Sequence, residues 1–462
     1  MRPLLVLREA KLSGIVAAAS LVVLLSACGR PAAAPAGAPT PTVARASSTP
    51  TFDATPLYRQ MGMIAQGLPL PVLGRVAFLA SGDPAKTHVL VGLSLANSAL
   101  SFAREADNRF RARYTVVIVV EREGQLVTRA EATEEVIVGS FRETGRSDES
   151  LLYQEILDVA PGRYSVRVSV RDEESSRGME EQITVSVPAL GPGRMSSPMP
   201  IARVSPRVSR DSLPQLLLSP RGTAAAGRDS TLLVYLEGYG APATPITMLV
   251  RNESGRMLWS EPIVLPAHGE MVSGIVAVPL ARLGIGVGQL TFVREGSSDS
   301  SSTYVFVGFG DDLPIASFED MLSYLRHFAQ PYRITRLRGA APEARPEAWA
   351  EFVRETDSEP NTVIHEDLRA YFARLVRSNA RFREETTPGW MSDRGRVFIT
   401  LGEPDVLMEP AGAEFQRGRQ QVWEYQNLNL QLIFYDQTGT GRWRLTQTSE
   451  VRFEQEYRRH LK

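Results

Sequence analysis

The sequence predicts a multidomain, mainly β protein: two immunoglobulin-like antiparallel β-sandwich modules followed by a C-terminal α+β domain. Three observations support this fold class. Short runs in which apolar and polar residues alternate recur between residues 74 and 307, with turn residues between them. A stretch rich in Pro, Gly and Ser at 189–200 divides these runs into two groups. Beyond Asp311 the apolar residues follow a helical spacing instead.

Composition narrows the possible function classes. The chain has 462 residues, of which 43% are hydrophobic and 22% charged, as is typical of folded proteins. Its 51 basic and 52 acidic residues give a net charge of −1, so no basic surface indicates nucleic acid as a partner. The single cysteine excludes an intramolecular disulfide and a cysteine-based zinc site. We expect no cofactor and no metal.

Residues 1–27 are predicted to be a lipoprotein signal peptide. A basic segment comes first, and an uninterrupted run of apolar or small residues covers 15–25. That run is shorter than the ~20 residues that span a bilayer, but it has the length of a signal-peptide hydrophobic region. It closes in Leu25-Ser26-Ala27-Cys28, so the only thiol of the chain directly follows small residues.

This string resembles the bacterial lipobox. The resemblance implies cleavage after Ala27 and a lipid on Cys28, which would attach the mature protein to a membrane of the cell envelope. Gly29 stands where an aspartate retains lipoproteins at the inner membrane, which favours the outer membrane if the organism is Gram-negative. The alternative is an uncleaved signal anchor. Residues 28–56, rich in Pro, Ala and Thr, are predicted to be a semi-extended tether.

The first predicted β-sandwich domain covers residues 57–188 and starts with a short helix at 57–66. Apolar and polar residues alternate with period two over 164–170, which places one face of that strand in a core. The seven predicted strands are 74–80, 88–95, 113–121, 133–138, 152–159, 164–171 and 182–187. Seven short strands separated by turns are typical of an immunoglobulin-like sandwich.

A second, smaller β-sandwich domain is predicted over 201–310, after the linker 189–200. Turn residues such as those at 252–255 separate its strands. The six predicted strands are 232–237, 246–251, 257–263, 271–278, 288–293 and 303–307.

The α+β domain is predicted over 311–462. A sequence similar to a capping box, Ser317-Phe318-Glu319-Asp320, begins its first helix. The second and third helices are predicted at 345–355 and 365–385. Two strands at 422–426 and 430–436 follow, and 442–448 closes a hairpin with them.

The stretch 388–405 reads Pro-Gly-Trp-Met-Ser-Asp-Arg-Gly-Arg-Val-Phe-Ile-Thr-Leu-Gly-Glu-Pro-Asp and closely resembles the GWxTD domain. This bacterial family is common in predicted exported or lipid-anchored proteins, and the resemblance covers about 311–450. The matching positions are Gly389, Trp390, Ser392, Asp393, Arg394, Gly395, Arg396, Gly402, Pro404, Asp405, Trp423 and Tyr425. Ser392 replaces the family's threonine, and Glu403 stands where a proline is frequent. The family carries no established activity, so the resemblance assigns no reaction.

Local chemistry predicts structural roles within this motif. Trp390, after a Pro-Gly turn, is expected to pack against the end of the third helix. Ser392 and Asp393 are suited to accept backbone N–H bonds at a turn or helix start. Gly395 is expected to allow a backbone that other residues would strain. Arg394 or Arg396 is expected to pair with Asp393 or Asp405.

The motif's secondary structure has two interpretations. Val397, Ile399 and Leu401 alternate with other residues, which favours a strand over 396–401. Arg394, Phe398 and Leu401 also fit one face of a helix. We predict the strand.

The charged residues of the motif also have two interpretations. Asp393, Arg394, Arg396, Glu403 and Asp405 form the best candidate site, because paired carboxylates can act as general acid and base when burial separates their pKa values. A salt-bridged turn network is the favoured alternative. Five tryptophans are expected to pack in cores, the alternative being a carbohydrate or peptide platform: Trp259, Trp349, Trp390, Trp423 and Trp443.

These observations lead to a functional hypothesis. The chain is expected to be a non-enzymatic, lipid-anchored cell-envelope protein that binds or assembles with an envelope protein partner. One alternative is an envelope hydrolase that uses Asp393, Glu403 or Asp405. Another is an accessory factor in outer-membrane biogenesis.

Overall fold

A computed structural model of the chain describes residues 54–105, 109–146, 150–226, 229–240, 245–295, 299–308, 318–359, 365–385, 387–409 and 418–462. The predicted signal peptide, Cys28, most of the tether and the predicted helix start at Ser317 lie outside these residues. No helix among the described residues is long and apolar enough to cross a membrane.

The first β region consists of two facing antiparallel sheets. Its strands are β1 (Ile64–Gln66), β2 (Val72–Ala80), β3 (Thr87–Ala96), β4 (Ala103–Arg104), β5 (Phe110–Arg122), β6 (Gln125–Val138), β7 (Ser150–Val159), β8 (Gly162–Asp172) and β9 (Gly178–Val187). One sheet has the order β1-β2-β3-β7; the other has the order β4-β5-β8-β9, and β6 pairs with β5. Apolar side chains from both sheets form one core, so the region is sandwich-like.

Alternating side chains produce this core. In β8, Tyr164, Val166, Val168 and Val170 are buried, while the residues between them are half-buried. All seven predicted strands are present. The helix predicted at 57–66 is wrong in part: α1 is Thr55–Gln60, and the chain then turns into β1 through Gly62, whose φ is 76°. A second short helix, α2, is Phe141–Thr144.

The second β region also has two sheets. Its strands are β10 (Met199–Ser205), β11 (Gln215–Leu218), β12 (Thr223–Ala225), β13 (Thr231–Tyr239), β14 (Ile246–Asn252), β15 (Met257–Ile263), β16 (Ala267–His268), β17 (Met271–Pro279), β18 (Gly286–Arg294) and β19 (Ser300–Gly308); a helix, α3 (Leu280–Leu283), follows β17. The sheet orders are β11-β10-β13-β17-β16 and β12-β19-β18-β14-β15. All six predicted strands are present, and β10 already begins within the predicted linker.

Two buried arginines connect the two β regions. Arg75, on β2, donates to the carbonyl oxygens of Pro220 at 3.3 Å and Tyr304 at 2.9 Å. Arg207 donates to both carboxylate oxygens of Glu237, at 2.7 and 2.8 Å, and also to the carbonyl of Ala80 on β2. Because each guanidinium bonds across the boundary, the two β regions contact each other through polar as well as apolar groups.

The C-terminal region combines helices with a four-stranded sheet. Its helices are α4 (Phe318–Tyr324), α5 (Pro331–Gly339), α6 (Arg345–Thr356), α7 (Glu366–Arg381), α8 (Asp393–Leu401) and α9 (Gln447–His460). Its strands, in sheet order, are β20 (Val406–Met408), β21 (Arg419–Tyr425), β22 (Leu430–Asp436) and β23 (Arg444–Leu445). Helices α4 to α7 share a core with the second β region. Helix α8 contacts both this core and the C-terminal sheet, and α9 packs on the sheet.

The predicted strand at 396–401 is wrong, because these residues lie in helix α8. This helix is buried on two sides. Val397 and Phe398 contact the core of the C-terminal sheet, while Ile399 belongs to the core that α4–α7 share with the second β region. Apolar residues therefore occur around most of the helix, and the resulting run resembles a buried strand.

The other helices differ from expectation in smaller ways. Helix α7 ends at Arg381 rather than 385, and Phe382 turns into the core of the C-terminal sheet. Helices α5 and α9 have no counterpart in the sequence prediction. The N–H of Phe318, the first residue of α4, donates to the Glu253 carboxylate at 2.9 Å, so a turn of the second β region caps this helix.

Candidate functional site

The motif residues form a short 3₁₀ turn, Gly389–Met391, followed by helix α8. Ser392 is the N-cap of α8: its Oγ accepts a bond from the N–H of Gly395 at 3.1 Å and donates to the Gly389 carbonyl at 2.8 Å. Asp393 Oδ2 accepts the N–H of Leu445, on β23, at 2.8 Å. The prediction that Ser392 and Asp393 accept backbone N–H bonds is confirmed, and serine performs the capping role that threonine would have.

Two glycines allow the turn and the two helices around it to approach closely. A Cβ atom on Gly395 would lie 1.8 Å from the Gly389 carbonyl oxygen, and one on Gly389 would lie 2.3 Å from the Ser378 carbonyl oxygen on α7. The sequence predicted that Gly395 allows a strained backbone conformation, and this reason is wrong. Its backbone is helical, and glycine is needed there because no side-chain atom fits.

Trp390 is fully buried where the helices meet. Its ring makes edge contacts with Tyr324 at 5.5 Å and His327 at 6.5 Å between centroids, and Arg326 lies over it at 5.1 Å. The 3₁₀ turn that carries it packs on α7 and α8, so Trp390 is an anchor for the helical layer, as expected.

The arginines of the motif do not pair with its aspartates, which corrects the prediction. Arg396 binds Glu450 at 2.5 Å and Glu454 at 3.1 Å, both on α9. Arg394 lies over the ring of Trp443 at 4.8 Å. Burial lowers the pKa of Arg394 to about 10.

The three motif carboxylates contact three different parts of the fold. Asp393 binds β23, as described above. Glu403 pairs with Arg381 at 2.5 Å on an exposed surface. Asp405 accepts the N–H of Gln426 at 2.7 Å in the turn after β21. Each of these carboxylates therefore binds a different partner within the fold.

The remaining motif residues complete the packing of α8 on the sheet. Gly402 ends α8 with a φ of 86°, a conformation that favours glycine, and its carbonyl accepts the Tyr425 hydroxyl at 3.1 Å. Pro404 lies in the turn between α8 and β20. Trp423 is fully buried, with ring centroids 4.7 Å from Phe434.

Four of the five tryptophans are buried, as expected for side chains that pack in a core. Trp349, Trp390, Trp423 and Trp443 are all buried. Trp259 is half-buried, and Arg282 lies over its ring at 4.5 Å. These side chains therefore do not form a shared open platform.

Sequence reasoning missed a cleft beside the motif. The cleft encloses about 340 Å³. Its lining residues come mainly from α7, α8 and the end of the chain, and include His327, Asp367, Arg374, Thr400, His460 and Lys462. Lys462 closes one side by pairing with Asp367 at 2.7 Å. Because the end of α9 and the residues after it line the cleft, the cleft could not be found without predicting α9.

His327 has a strongly perturbed pKa in this cleft. Burial, reinforced by the charges of Arg326 and Arg396, lowers its pKa to about 3. Its Nδ1 lies 3.1 Å from the hydroxyl of Tyr457, on α9. His327 is therefore a neutral, hydrogen-bonded side chain inside the fold.

In the described part of the chain, no three His, Cys, Asp or Glu side chains form a group that could hold a metal ion. His365, which the sequence places beside two acidic residues, is the N-cap of α7: its Nδ1 accepts the N–H of Leu368 at 3.1 Å.

Taken together, the geometry defines a protein of two mainly antiparallel β regions and a C-terminal α+β domain, whose motif joins helices to a sheet. The family model of the GWxTD domain matches residues 290–458. The chain thus contains a GWxTD domain. The match begins inside β18, in agreement with the core that the helices share with the second β region.

Comparisons with solved structures and curated sequences assign no function to the chain. The BSP domain of a biofilm associated protein is 7% identical, with 51% of each chain covered and a TM-score of 0.17. A β-glucuronidase from Bifidobacterium dentium is 10% identical, with 53% of this chain and 49% of that chain covered and a TM-score of 0.18. The chain spans about half the length of these two proteins, and at such TM-scores the likeness carries no argument. No curated protein sequence matches the chain.

Proposed function

We propose that this chain is a lipid-anchored protein of the bacterial cell envelope that binds or assembles with another envelope protein and does not catalyse a reaction. One observation carries the non-catalytic part of this proposal: the polar groups of the motif bind the fold itself. Ser392 caps α8, Arg396 binds α9, and the three carboxylates have three separate partners. Such a motif stabilises a domain that presents surfaces to a partner.

The anchor is part of the same proposal and is supported by the sequence alone. Cys28 follows Leu25-Ser26-Ala27, and the tether to residue 56 would hold the folded part away from the membrane. Gly29 supports the outer membrane in a Gram-negative organism. We also propose that each β region is an immunoglobulin-like sandwich, which the two sheets of each region and the apolar cores between them support.

Mass spectrometry of the native protein tests the anchor. The expected N-terminus is a Cys28 that carries a diacylglyceryl group, with residues 1–27 removed. The matched variant Cys28→Ser keeps a small polar side chain but has no thiol to acylate, so we expect it to lack the lipid. A native protein that begins at Met1 without a lipid would refute the anchor.

Cross-linking in intact envelopes tests the binding role. Affinity purification of the wild-type protein after cross-linking is expected to recover one recurrent envelope protein. The Cys28→Ser variant, detached from the membrane, is expected to recover much less of it. Failure to recover any recurrent protein in repeated experiments would contradict the proposal, whatever the lipid result.

A further inference from the structure

Strand β6 is a long, open sheet edge in the first β region. It pairs with β5 over Gln125–Val138, and within the described residues no strand pairs with its other edge. Unpaired N–H and C=O groups along such an edge are a template for another strand. Three large apolar side chains on β6 are exposed: Leu126 by 63%, Val127 by 44% and Ile137 by 41%.

The two faces of β6 differ in burial: one face packs on the core and the other is exposed. Even-numbered residues such as Ala130, Ala132 and Val136 pack against the core of the first β region. The odd-numbered residues from 127 to 137 point to solvent and are exposed. Any strand added at this edge must therefore match even with even and odd with odd positions.

We propose that two copies of this chain pair through β6, antiparallel, about a two-fold axis at Ala132. In this register, the sequence numbers of two residues that face each other across the axis add up to 264, and this sum is used below to name a register. Val127 then faces Ile137 of the second copy, and Arg129 faces Glu135 of the second copy. Each pair occurs twice because of the symmetry, so one strand supplies both halves of an apolar and a charged contact.

Neighbouring registers are less favourable for a clear electrostatic reason. A sum of 262 would place Glu131 opposite itself, and a sum of 266 would place Glu131 opposite Glu135. Like charges directly opposite each other destabilise a strand pair. A sum of 260 avoids this clash but leaves Ile137 beyond the overlap, with no apolar partner.

The contact is long enough to hold a dimer. The pairing of β6 with β5 shifts by one residue between Thr128 and Leu126, so the regular facing stretch is 128–136, a ladder of about 31 Å at ~3.4 Å per residue. About eight to ten main-chain hydrogen bonds would join the copies there, because alternate facing pairs each exchange two bonds. The exposed side chains of Val127 and Ile137 would be covered on one face.

Engineered disulfides in the full chain, purified in detergent, test the register. We place Val127→Cys with Ile137→Cys in a Cys28→Ser background. Ten positions along one strand are about 33 Å apart, so these thiols cannot bridge within a chain. Mild oxidation is expected to give a covalent dimer. The matched control, Val127→Cys with Thr133→Cys, tests the 260 register and should remain mostly monomeric.

Charge reversal tests the same contact without cysteine. Arg129→Glu places like charges opposite each other twice, and we expect it to weaken the dimer about tenfold in analytical ultracentrifugation. Adding Glu135→Arg restores opposite charges, so the double variant should dimerise nearly as wild type does. Circular dichroism checks that both variants are folded. A wild-type protein that sediments as a monomer at 100 µM, or equal cross-linking in both registers, would overturn the proposal.

Discussion

Replacing Gly395 by alanine tests whether the turn and the helices around it meet as closely as the structure shows. Gly395 lies inside helix α8, where alanine is intrinsically more stable than glycine by about 1 kcal/mol. Propensity alone therefore predicts that Gly395→Ala stabilises the protein. The structure predicts the opposite, because the new Cβ would lie 1.8 Å from the Gly389 carbonyl oxygen.

The expected magnitude follows from these two effects. An ordinary contact needs more than 3 Å, so the turn at 389–391 must move by more than 1 Å away from α8. Overpacking of this severity costs about 3 kcal/mol. After the gain in helix propensity, we expect Gly395→Ala to lower the free energy of unfolding by about 2 kcal/mol.

Gly339→Ala is the matched control. Gly339 is also helical and lies at the end of α5, and a Cβ atom added to it would meet no neighbouring atom within 4 Å. This variant should stabilise the protein by about 0.5 kcal/mol. Urea unfolding followed by tryptophan fluorescence measures both, since Trp349, Trp390 and Trp423 all lie in the C-terminal region. A Gly395→Ala protein as stable as wild type would refute the close approach.

Two further predictions concern buried charge. Glu237→Gln removes the carboxylate that binds Arg207 and leaves the guanidinium of Arg207 buried, so we expect the free energy of unfolding, measured by thermal unfolding, to fall by about 3–5 kcal/mol. The control is Glu261→Gln, which removes one partner of a more exposed ion pair and should change this free energy by less than about 1 kcal/mol. His327 has a pKa of about 3 when folded and about 6.5 when unfolded, so the unfolded state binds more protons between these values and stability falls as pH drops through that window. His327→Gln should therefore reduce the loss of stability between pH 7 and pH 5 by about 2 kcal/mol, and an unchanged pH dependence would contradict the buried, neutral histidine.

Much of the β architecture could be predicted because each strand carries its own signal. In β8 the alternation of Tyr164, Val166 and Val168 with polar residues reports a half-buried strand without knowledge of the rest of the chain. The cap at Ser392 is equally local, since the hydroxyl and the N–H that it accepts are three residues apart. The string around Trp390 was sufficient to identify the GWxTD domain.

The candidate site could not be predicted to the same extent, because its contacts join distant segments. Arg396 binds Glu450 and Glu454, more than 50 residues later in the chain, and nothing near Arg396 distinguishes them from Asp393 or Asp405 as partners. His327 and the cleft depend on where α9 packs. Side-chain pairing of this kind is decided by the path of the chain.

The sequence by itself determined the strands, the helix cap and the domain family, because periodicity and short-range hydrogen bonds act over a few residues. The tertiary structure alone decided that 393–401 is a helix and that Gly395 must lack a side chain. Residues of α8 contact two cores on opposite sides, so the apolar pattern loses its helical period. The space beside Gly395 is filled by the Gly389 carbonyl, which only the folded chain brings there.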